Sequence, residues 1–226
     1  MPEDRYIPPL RYHFLTRFYD VTVRATTRER KFKRALLAQV DARPGERVLD
    51  LGCGTGTFAV ALARRYPTTS ITGLDADATA LAIARRKADA APVAVAFEQG
   101  RAEALPFPDA SFEHVASSLL FHHLTRGQKA AALREVRRVL KPAGALHLAD
   151  WGRPANAVMR AAFLVVRLLD GLETTADNVA GRLPELVADA GFADVRETAS
   201  LWTPVGTIRL HRATNRPPAA TRGGPP

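Results

Sequence analysis

The chain has little of what secreted, disulfide-stabilised or membrane-spanning proteins need. Its 226 residues include one cysteine, Cys53, so no internal disulfide can form. The longest apolar run of the C-terminal half, residues 159–169, is too short to span a bilayer and is interrupted by Arg160 and Arg167. The first residues carry acids and prolines where a signal peptide has a basic start and an apolar core. We therefore expect a cytoplasmic protein without a transmembrane segment, for which peripheral membrane contact stays open.

The sequence also lacks a group of cysteines and histidines with metal-ligand spacing. His122 and His123 are adjacent, so on a regular strand or helix their side chains diverge. The net charge of +9 is compatible with nucleic-acid binding, but basic residues are spread along the chain and interleaved with acids. The one dense basic cluster, within residues 28–34, has the spacing of a solvated helix face. The sequence predicts no metal ion, and nucleic acid is a disfavoured partner.

What the chain does have is an ordinary globular composition, 46% hydrophobic and 24% charged, with alternating strand-like and helix-like segments. The predicted strands are 47–51, 70–75, 93–99, 114–118, 145–150, 194–201 and 204–210. The predicted helices of this core are 57–65, 78–90, 128–140 and 184–190. This alternation predicts an α/β fold: a Rossmann-like, mostly parallel sheet of seven strands with helices on both faces.

Three further regions surround or interrupt the core. Residues 1–42 are predicted to be helical and to form an N-terminal lid, and residues 43–213 form the sheet domain. A helical insertion at 154–170 follows the fifth strand, either as a core-covering helix or as a lid over a lipophilic pocket. The Pro-, Gly- and Ala-rich residues 214–226 are predicted to be a disordered tail.

The most informative stretch is residues 48–56, VLDLGCGTG, in which a strand runs into a glycine loop and then a helix. Glycines allow a sharp turn and the close approach of a ligand, and the helix start offers free N–H groups. Dinucleotide sites have the spacing G-x-G-x-x-G, whereas here Gly52, Gly54 and Gly56 are followed by Thr57. The loop therefore favours a nucleotide-like ligand without a pyrophosphate. Asp50, just before it, could hold the loop or a cationic amine.

A second acidic element ends the second predicted strand. Asp75 lies about twenty residues beyond the glycine loop, where an acid accepts the hydroxyls of a ribose. Asp77 stands directly before the next helix, so its carboxylate is better placed as the N-cap. We assign the ribose to Asp75.

Further segments follow in order: 100–107 (GRAEALPF), 111–113 (SFE) and 140–144 (LKPAG). Together with the glycine loop and Asp75, they resemble the class I S-adenosylmethionine-dependent methyltransferases over residues 44–152. Within that family the chain is most similar to the type 11 group, which includes the quinone-biosynthesis C-methyltransferases. The resemblance implies S-adenosylmethionine as the methyl donor.

The resemblance also implies which residues hold the donor. They are the loop, the ribose acid and the residues along the adenine and methionine moieties: Asp50, Gly52, Gly54, Thr55, Gly56, Asp75, Ala76, Arg101, Ala102 and Ser118. Arg101 departs from the family, which has Asp or Asn at this position to accept from the adenine amino group. Arginine has no acceptor, so that contact is lost or made by the backbone.

Candidates for the acceptor side are few. His122 and His123 follow the fourth strand at the edge where such folds bind ligands, as a base, a substrate clamp or turn residues. Of the two, His123 is favoured as the one facing the site. Tyr19 in the N-terminal helix could close over the cofactor as a catalytic-side residue or be a packing residue, and Asp150 could orient a substrate or be a plain acid at the end of a strand.

These residues lead to one functional hypothesis with two alternatives. The chain is interpreted as a methyltransferase that acts on a small, lipophilic or aromatic acceptor by direct in-line transfer. The alternatives are a non-catalytic cofactor-binding protein and an NAD-dependent oxidoreductase on a similar fold, against which Thr57 speaks. The atom methylated and the oligomeric state stay open.

Overall fold

A computed structural model of the chain describes residues 28–156, 159–161, 163–164 and 171–216. Seven strands form its central sheet, and each has a residue range that an alternating or continuous apolar pattern marks in the sequence. The strands are β1 (Arg47–Leu51), β2 (Ser70–Asp75), β3 (Ala96–Gln99), β4 (Phe112–Ser118), β5 (Leu140–Trp151), β6 (Ala193–Thr203) and β7 (Gly206–Thr214).

The order of the strands across the sheet is β3-β2-β1-β4-β5-β7-β6. Strands β1 to β5 run parallel, and β7 is antiparallel to both of its neighbours. This confirms the predicted Rossmann-like, mostly parallel sheet of seven strands. Because β1 pairs with β2 on one side and with β4 on the other, the direction of winding reverses there, and ligands of such sheets bind beyond the carboxyl ends of those strands. We call this end of the sheet the carboxyl edge.

The helices are α1 (Glu29–Val40), α2 (Thr57–Arg65), α3 (Ala78–Ala90), α4 (Arg126–Val139), α5 (Ala176–Ala180) and α6 (Leu183–Asp189), with a 3₁₀ turn at Phe121–His123. The bounds of α2 and α3 are those predicted. Asp77 caps α3 as expected, accepting the N–H groups of Thr79 at 2.7 Å and Ala80 at 3.3 Å. Helix α4 begins before its predicted start because Thr125 and Gln128 form a capping box there.

Alternate residues of the strands feed two separate cores, one on each face of the sheet. On β1, Val48 packs beneath α1 and α2 with Phe32, Leu36 and Phe58. Its neighbour Leu49 belongs to the opposite core, whose helical members come from α4 and α6. The parallel strands are therefore covered on both faces, as their continuous apolar runs predict.

Strands β3 and β5 differ from their predicted bounds for local reasons. Strand β3 starts at Ala96 because the N–H of Val93 bonds to the carbonyl of Ala88 at the end of α3. Strand β5 already starts at Leu140, opposite Phe112, and residues 141–144 form a bulge in that strand. Within this bulge Ala143 has a φ of 64°, a left-handed conformation that glycine adopts without strain.

The C-terminal boundary of the sheet domain also differs from the predicted one. Strand β7 continues to Thr214, and the N–H of Asn215 bonds to the carbonyl of Gly144 at 2.8 Å. Residues 214–216 thus belong to the folded domain, and the rest of the predicted tail, residues 217–226, lies outside the described residues.

Helix α1 is the described part of the predicted N-terminal region. Its apolar stripe is buried against the sheet, and Gln39 Nε2 donates to the carbonyl of His211 at 2.8 Å. At the start of the helix the guanidinium of Arg28 lies 4.8 Å from the ring centre of Trp202, which is near the end of β6 at the carboxyl edge. Residues 1–27, which include Tyr19, are not among the described residues. Within the described ranges, no helix has the length and hydropathy needed to cross a bilayer.

Candidate active site

The glycine loop leaves β1 at the carboxyl edge with all three glycines in left-handed conformations, at φ values of 71°, 52° and 74°. A Cβ on Gly52 would lie 2.9 Å from the side chain of Leu120, and one on Gly56 would lie 2.7 Å from the Cβ of Ala84. A Cβ on Gly54 would meet no atom within 4 Å. The packing of the protein therefore requires Gly52 and Gly56, whereas Gly54 borders open space in which a ligand can approach the backbone.

Asp75, at the end of β2, holds the loop in place. Its Oδ2 accepts the N–H of Gly54 at 2.7 Å, and its Oδ1 accepts the N–H of Asp77 at 2.9 Å. Burial raises the pKa of Asp75 above its ordinary value, and these two hydrogen bonds oppose the rise. The predicted ribose acid thus lies directly beside the glycine that borders the open space.

Asp50 lies inside the sheet, just before the loop, with 0% of its surface exposed. Neither carboxylate oxygen has a hydrogen-bond partner in the described part of the chain. Burial raises its pKa to about 7, the charge of Lys33 lowers it, the charge of Asp75 raises it further, and the backbone N–H of Ala59, short of hydrogen-bond geometry, lowers it slightly. A buried carboxylate without a donor is costly, so this position is suited to a cationic ligand group that would supply one. The α-ammonium of S-adenosylmethionine fits that requirement.

The predicted adenine-side residues lie next to Asp75, since the N–H of Gly100 bonds to the Asp75 carbonyl at 3.0 Å. Ala102 is buried and packs in the core with Leu74. The guanidinium of Arg101 is turned to Glu103, with Nη2 donating to Oε1 at 2.9 Å. The arginine charge is therefore matched within its own turn, and the side chain adds no acceptor toward an adenine.

The other predicted cofactor residues lie around the same loop. The hydroxyl of Thr55 accepts from Lys87 Nζ at 3.0 Å, and the same ammonium donates to Thr57 at 2.7 Å. Ala76 follows Asp75 directly, and Ser118 ends β4 and is half-buried. The structure thus brings the predicted donor-side residues to one edge of β1, β2 and β4.

On the acceptor side, His122 and Asp150 form a buried pair. Asp150 Oδ1 accepts from His122 Nδ1 at 2.8 Å, and it also accepts the N–H of Trp151 at 2.7 Å. Asp150 Oδ2 accepts the N–H of Phe121 at 2.7 Å. When the Asp150 carboxylate is ionised it can only accept hydrogen bonds, and in that state Nδ1 of His122 is the donor of the pair.

His123 has a different environment, although it is the next residue. Its ring centre lies 3.9 Å from that of His122, and its buried Nε2 has no hydrogen-bond partner among the residues described. Burial, followed by the neighbouring His122, holds the pKa of His123 well below its usual value. His123 is therefore neutral at physiological pH, and the carboxylate partner belongs to His122.

Sequence reasoning missed three buried polar residues beside this pair: Lys129, Asp177 and Asn178. Asn178 Nδ2 donates to Asp150 Oδ1 at 3.3 Å, and Lys129 Nζ lies 3.5 Å from Asp177 Oδ2. Lys129 did carry a signal, because it occupies the buried stripe of α4 whose other members are apolar. Asp177 and Asn178 lie on a short helix after the insertion and follow no pattern that marks them.

Aromatic side chains border the pair. The ring centres of His122 and Trp151 are 6.4 Å apart, and Phe163 of the insertion packs edge-on against Trp151 at 5.1 Å. Within the predicted helical insertion, residues 159–161 and 163–164 are helical where they are described. The acceptor side of the edge therefore combines a buried acid–base pair with an apolar wall.

Known proteins show the same combination of sequence and fold. The Methyltransferase domain family matches residues 48–144. A demethylmenaquinone methyltransferase of Deinococcus radiodurans is 37% identical over 153 residues, which cover 68% of this chain and 61% of that enzyme. An uncharacterised methyltransferase of Synechocystis is 35% identical over 169 residues, covering 75% of this chain and 77% of the relative. The crystal structure of YcgJ from Bacillus subtilis shares the fold, with a TM-score of 0.68 at 21% identity over 82% of this chain and 98% of that one. The chain thus spans less than two thirds of the Deinococcus enzyme and more than two thirds of the Synechocystis protein.

Proposed function

Since the chain belongs to the class I S-adenosylmethionine-dependent methyltransferases, in the quinone-biosynthesis branch, we propose that it methylates a small, lipophilic, hydroxyl-bearing aromatic acceptor. The observation that carries this proposal is the buried His122–Asp150 pair, which lies beside Trp151 at the same sheet edge as the glycine loop. A base in this position is useful only to an acceptor that must lose a proton. The name of the Deinococcus relative, a demethylmenaquinone methyltransferase, supports a quinol-type acceptor.

The donor half of the site supplies binding and alignment. S-adenosylmethionine carries the methyl group on a cationic sulfur. That sulfur is the leaving group and becomes a neutral thioether when the methyl group is transferred. Asp50 offers its unpartnered carboxylate to the ammonium of the methionyl part, and Asp75 offers its carboxylate to the ribose hydroxyls. Gly54 leaves the space for close approach, and Ala102 and the backbone at Arg101 border the adenine. Because the leaving group is good, alignment is the main task of these residues.

The acceptor half supplies the proton acceptor and an apolar environment. Asp150 fixes the His122 ring and stabilises the imidazolium that forms when Nε2 takes a proton. His123 stays neutral against that ring, and Trp151 with Phe163 supplies the wall for an aromatic acceptor. In this assignment the acid–base role belongs to His122 and not to His123.

The N-terminal region, residues 1–42, is proposed to cover the donor with the part that precedes α1, because α1 itself packs against the sheet. Its described helix α1 starts at the carboxyl edge, where Arg28 stacks on Trp202 and Lys33 pairs with Glu29 at 2.5 Å. Tyr19 lies in the part that precedes the described residues and is proposed as a residue that covers the cofactor. Residues 43–216 form the domain that binds donor and acceptor.

Calorimetric titration of the full chain tests the donor half. We expect S-adenosylmethionine and S-adenosylhomocysteine to bind with micromolar dissociation constants, and NADH to give no heat. Failure of both sulfur compounds to bind would contradict the assignment of the glycine loop.

A panel of acceptors tests the other half. Formation of S-adenosylhomocysteine is followed with 1,4-naphthohydroquinone, a simple phenol, a primary amine and a phospholipid, each with the wild-type chain and with His122→Asn as the matched variant. We expect turnover with the hydroxyaromatic compounds and its loss in the variant. Turnover with polar acceptors alone would refute the proposed acceptor class.

A further inference from the structure

Three buried polar side chains lie next to the His122–Asp150 pair and have no part in the function derived so far: Lys129, Asp177 and Asn178. Lys129 and Asn178 are each 0% exposed, and Asp177 is 6% exposed. Removing charges from water is costly unless partners compensate, and apolar side chains of similar size often stabilise a fold as well or better. The presence of these groups therefore calls for a reason beyond packing.

Asn178 is tied to the pair from the side of helix α5. Its Nδ2 donates to Asp150 Oδ1 at 3.3 Å and to the carbonyl of Trp151 at 2.9 Å. Both partners only accept, so the amino end of the amide must face them. The amide oxygen has no partner in the described ranges. A buried oxygen without a donor destabilises the fold, so the side chain serves its contacts with Asp150 and Trp151 at some cost in stability.

Lys129 holds the same short helix from the other side. Its Nζ donates to the carbonyl of Thr174 at 2.6 Å and lies 3.5 Å from Asp177 Oδ2. Burial lowers the pKa of Lys129, and the charges of Asp177 and Asp150 oppose this. The ammonium is thus within electrostatic reach of Asp150 as well as of its direct partner. The chain segment that returns from the insertion is fixed to α4 by two charge pairs of Asp177, with Lys129 at 3.5 Å and with Arg126 at 3.8 Å, and to β5 by the amide of Asn178.

His122 lies among groups of both charge signs. Several titratable groups face it, by contact or through Asp150 and Lys129: Asp150, His123, Lys129, His211, Asp177 and Arg126. Arg126 is mostly exposed, so solvent screens its charge. His123 is neutral, and burial also lowers the pKa of His211. The buried set beside His122 therefore contains two carboxyl groups, Asp150 and Asp177, and one amine, Lys129, so changing any one of them changes the charge that His122 experiences.

We propose that Asn178 and the Lys129–Asp177 pair are positioning residues of the methyl transfer, which hold Asp150 and His122 in the geometry that accepts the acceptor's proton. The inference rests on the proposed function, in that the acceptor reacts at this edge. The new bond joins the acceptor's nucleophilic atom to the methyl carbon, and the carbon–sulfur bond breaks with its electron pair on sulfur. The proton of the acceptor hydroxyl passes to His122 Nε2 and from there to water. The site therefore favours acceptors that are protonated at neutral pH, such as phenols and hydroquinones.

Opposite charge changes test this role on the protein itself. The titration of His122 is followed by NMR of ¹⁵N-histidine-labelled full chain saturated with S-adenosylhomocysteine, with His122→Asn to assign the signal. Lys129→Met removes a positive charge and raises the midpoint by about one pH unit. Asp177→Asn removes a negative charge and lowers it. Shifts of opposite sign support the positioning role; an unmoved midpoint in both variants, or shifts in the same direction, overturns it.

Turnover of 1,4-naphthohydroquinone gives the second readout, with Asn215 as the matched control. Asn215 Nδ2 lies within hydrogen-bond distance of three backbone carbonyls, those of Arg137 in α4 and of Leu140 and Lys141 at the opposite end of β5, at 2.8 to 3.2 Å. We expect Asn178→Ala to lower kcat about tenfold with an unchanged affinity for S-adenosylmethionine. Asn215→Ala should lower the melting temperature and leave kcat intact, so an equal loss of kcat in both variants overturns the proposal. Absence of turnover in the wild type would instead count against the proposed acceptor, since the NMR titration does not depend on it.

Discussion

The donor half of the sheet, β1 to β3, and the acceptor half, β4 to β7, form their parts of the site in different ways. In the donor half, Gly54 and Asp75 meet across one β–α–β unit through a backbone N–H and a carboxylate at 2.7 Å. In the acceptor half, Asp150 gathers His122 from 28 residues before it and Asn178 from 28 residues after it. The first site is a property of a motif, and the second is a property of the assembled sheet.

The difference lies in what carries the chemistry. The donor side depends on backbone conformation, since Gly54 leaves room for a ligand and Asp75 fixes the loop. The acceptor side depends on buried side-chain charges, which are stable only when several elements satisfy them together. Changes in the donor half should therefore alter cofactor affinity, and changes in the acceptor half should alter turnover.

The largest effect that separates the halves is expected at His122. His122→Asn should lower kcat by about 100-fold or more, because the proton acceptor is lost, while the dissociation constant of S-adenosylmethionine changes by less than about twofold. His123→Asn is the matched control variant at the neighbouring residue. We expect its kcat to stay within about threefold of wild type, because the substitution replaces a neutral ring and so removes no charge. Steady-state kinetics and calorimetry measure the two quantities. A loss of cofactor affinity as large as the loss of kcat would break the division between the halves.

The next effect is expected at Asp75, on the donor side. Asp75→Asn should weaken S-adenosylmethionine binding by about 30-fold, since hydrogen bonds to a charged group are each worth roughly 1.5–3 kcal/mol. Asp77→Asn, two residues later, keeps the N-cap of α3, because asparagine caps helices as well as aspartate does. Calorimetry should therefore show unchanged binding for Asp77→Asn. Equal weakening in both variants would mean that the turn, and not the Asp75 carboxylate, determines affinity.

The smallest effect is expected at Asp50 and depends on pH. Its folded-state pKa of about 7 lies above the ordinary value of 3.8, so the folded protein keeps a proton that the unfolded chain loses. Stability therefore falls as the pH rises from about 4 to about 7, and the full penalty is present above that range. Asp50→Asn should stabilise the free protein by about 1–2 kcal/mol at pH 8 and by little at pH 4.

The same substitution should weaken the binding of S-adenosylmethionine at pH 8, where the wild-type carboxylate is ionised. Denaturant unfolding at the two pH values and calorimetry measure stability and affinity separately. A variant that is less stable at pH 8 and binds the cofactor as the wild type does would show that Asp50 is a packing residue. The donor and acceptor halves would then differ less than we infer, because the buried carboxylate of Asp50 would not contribute to cofactor binding.

Local signals account for what could be predicted. The bounds of α2 and α3 follow from Gly56 and Asp77, which mark the starts of the helices in the sequence itself. The start of β5 could not be predicted, because the bulge at 141–144 is held by pairing with Phe112 and by Asn215 far along the chain. The sequence shows that Asp150 lies at the end of a predicted strand. Whether His122 or His123 forms a hydrogen bond with it depends on how the 3₁₀ turn lies against β5.

The sequence by itself determined the fold class and the methyl donor, because a glycine loop, a ribose acid and a helix cap act within a few residues of their own position in the chain. Only the tertiary structure decided which histidine forms a hydrogen bond with Asp150. It also decided that Lys129, Asp177 and Asn178 lie around this pair. The physical reason is that these groups interact strongly only when they are buried together. Their burial depends on the register of β4 against β5 and on the return of the chain after the insertion.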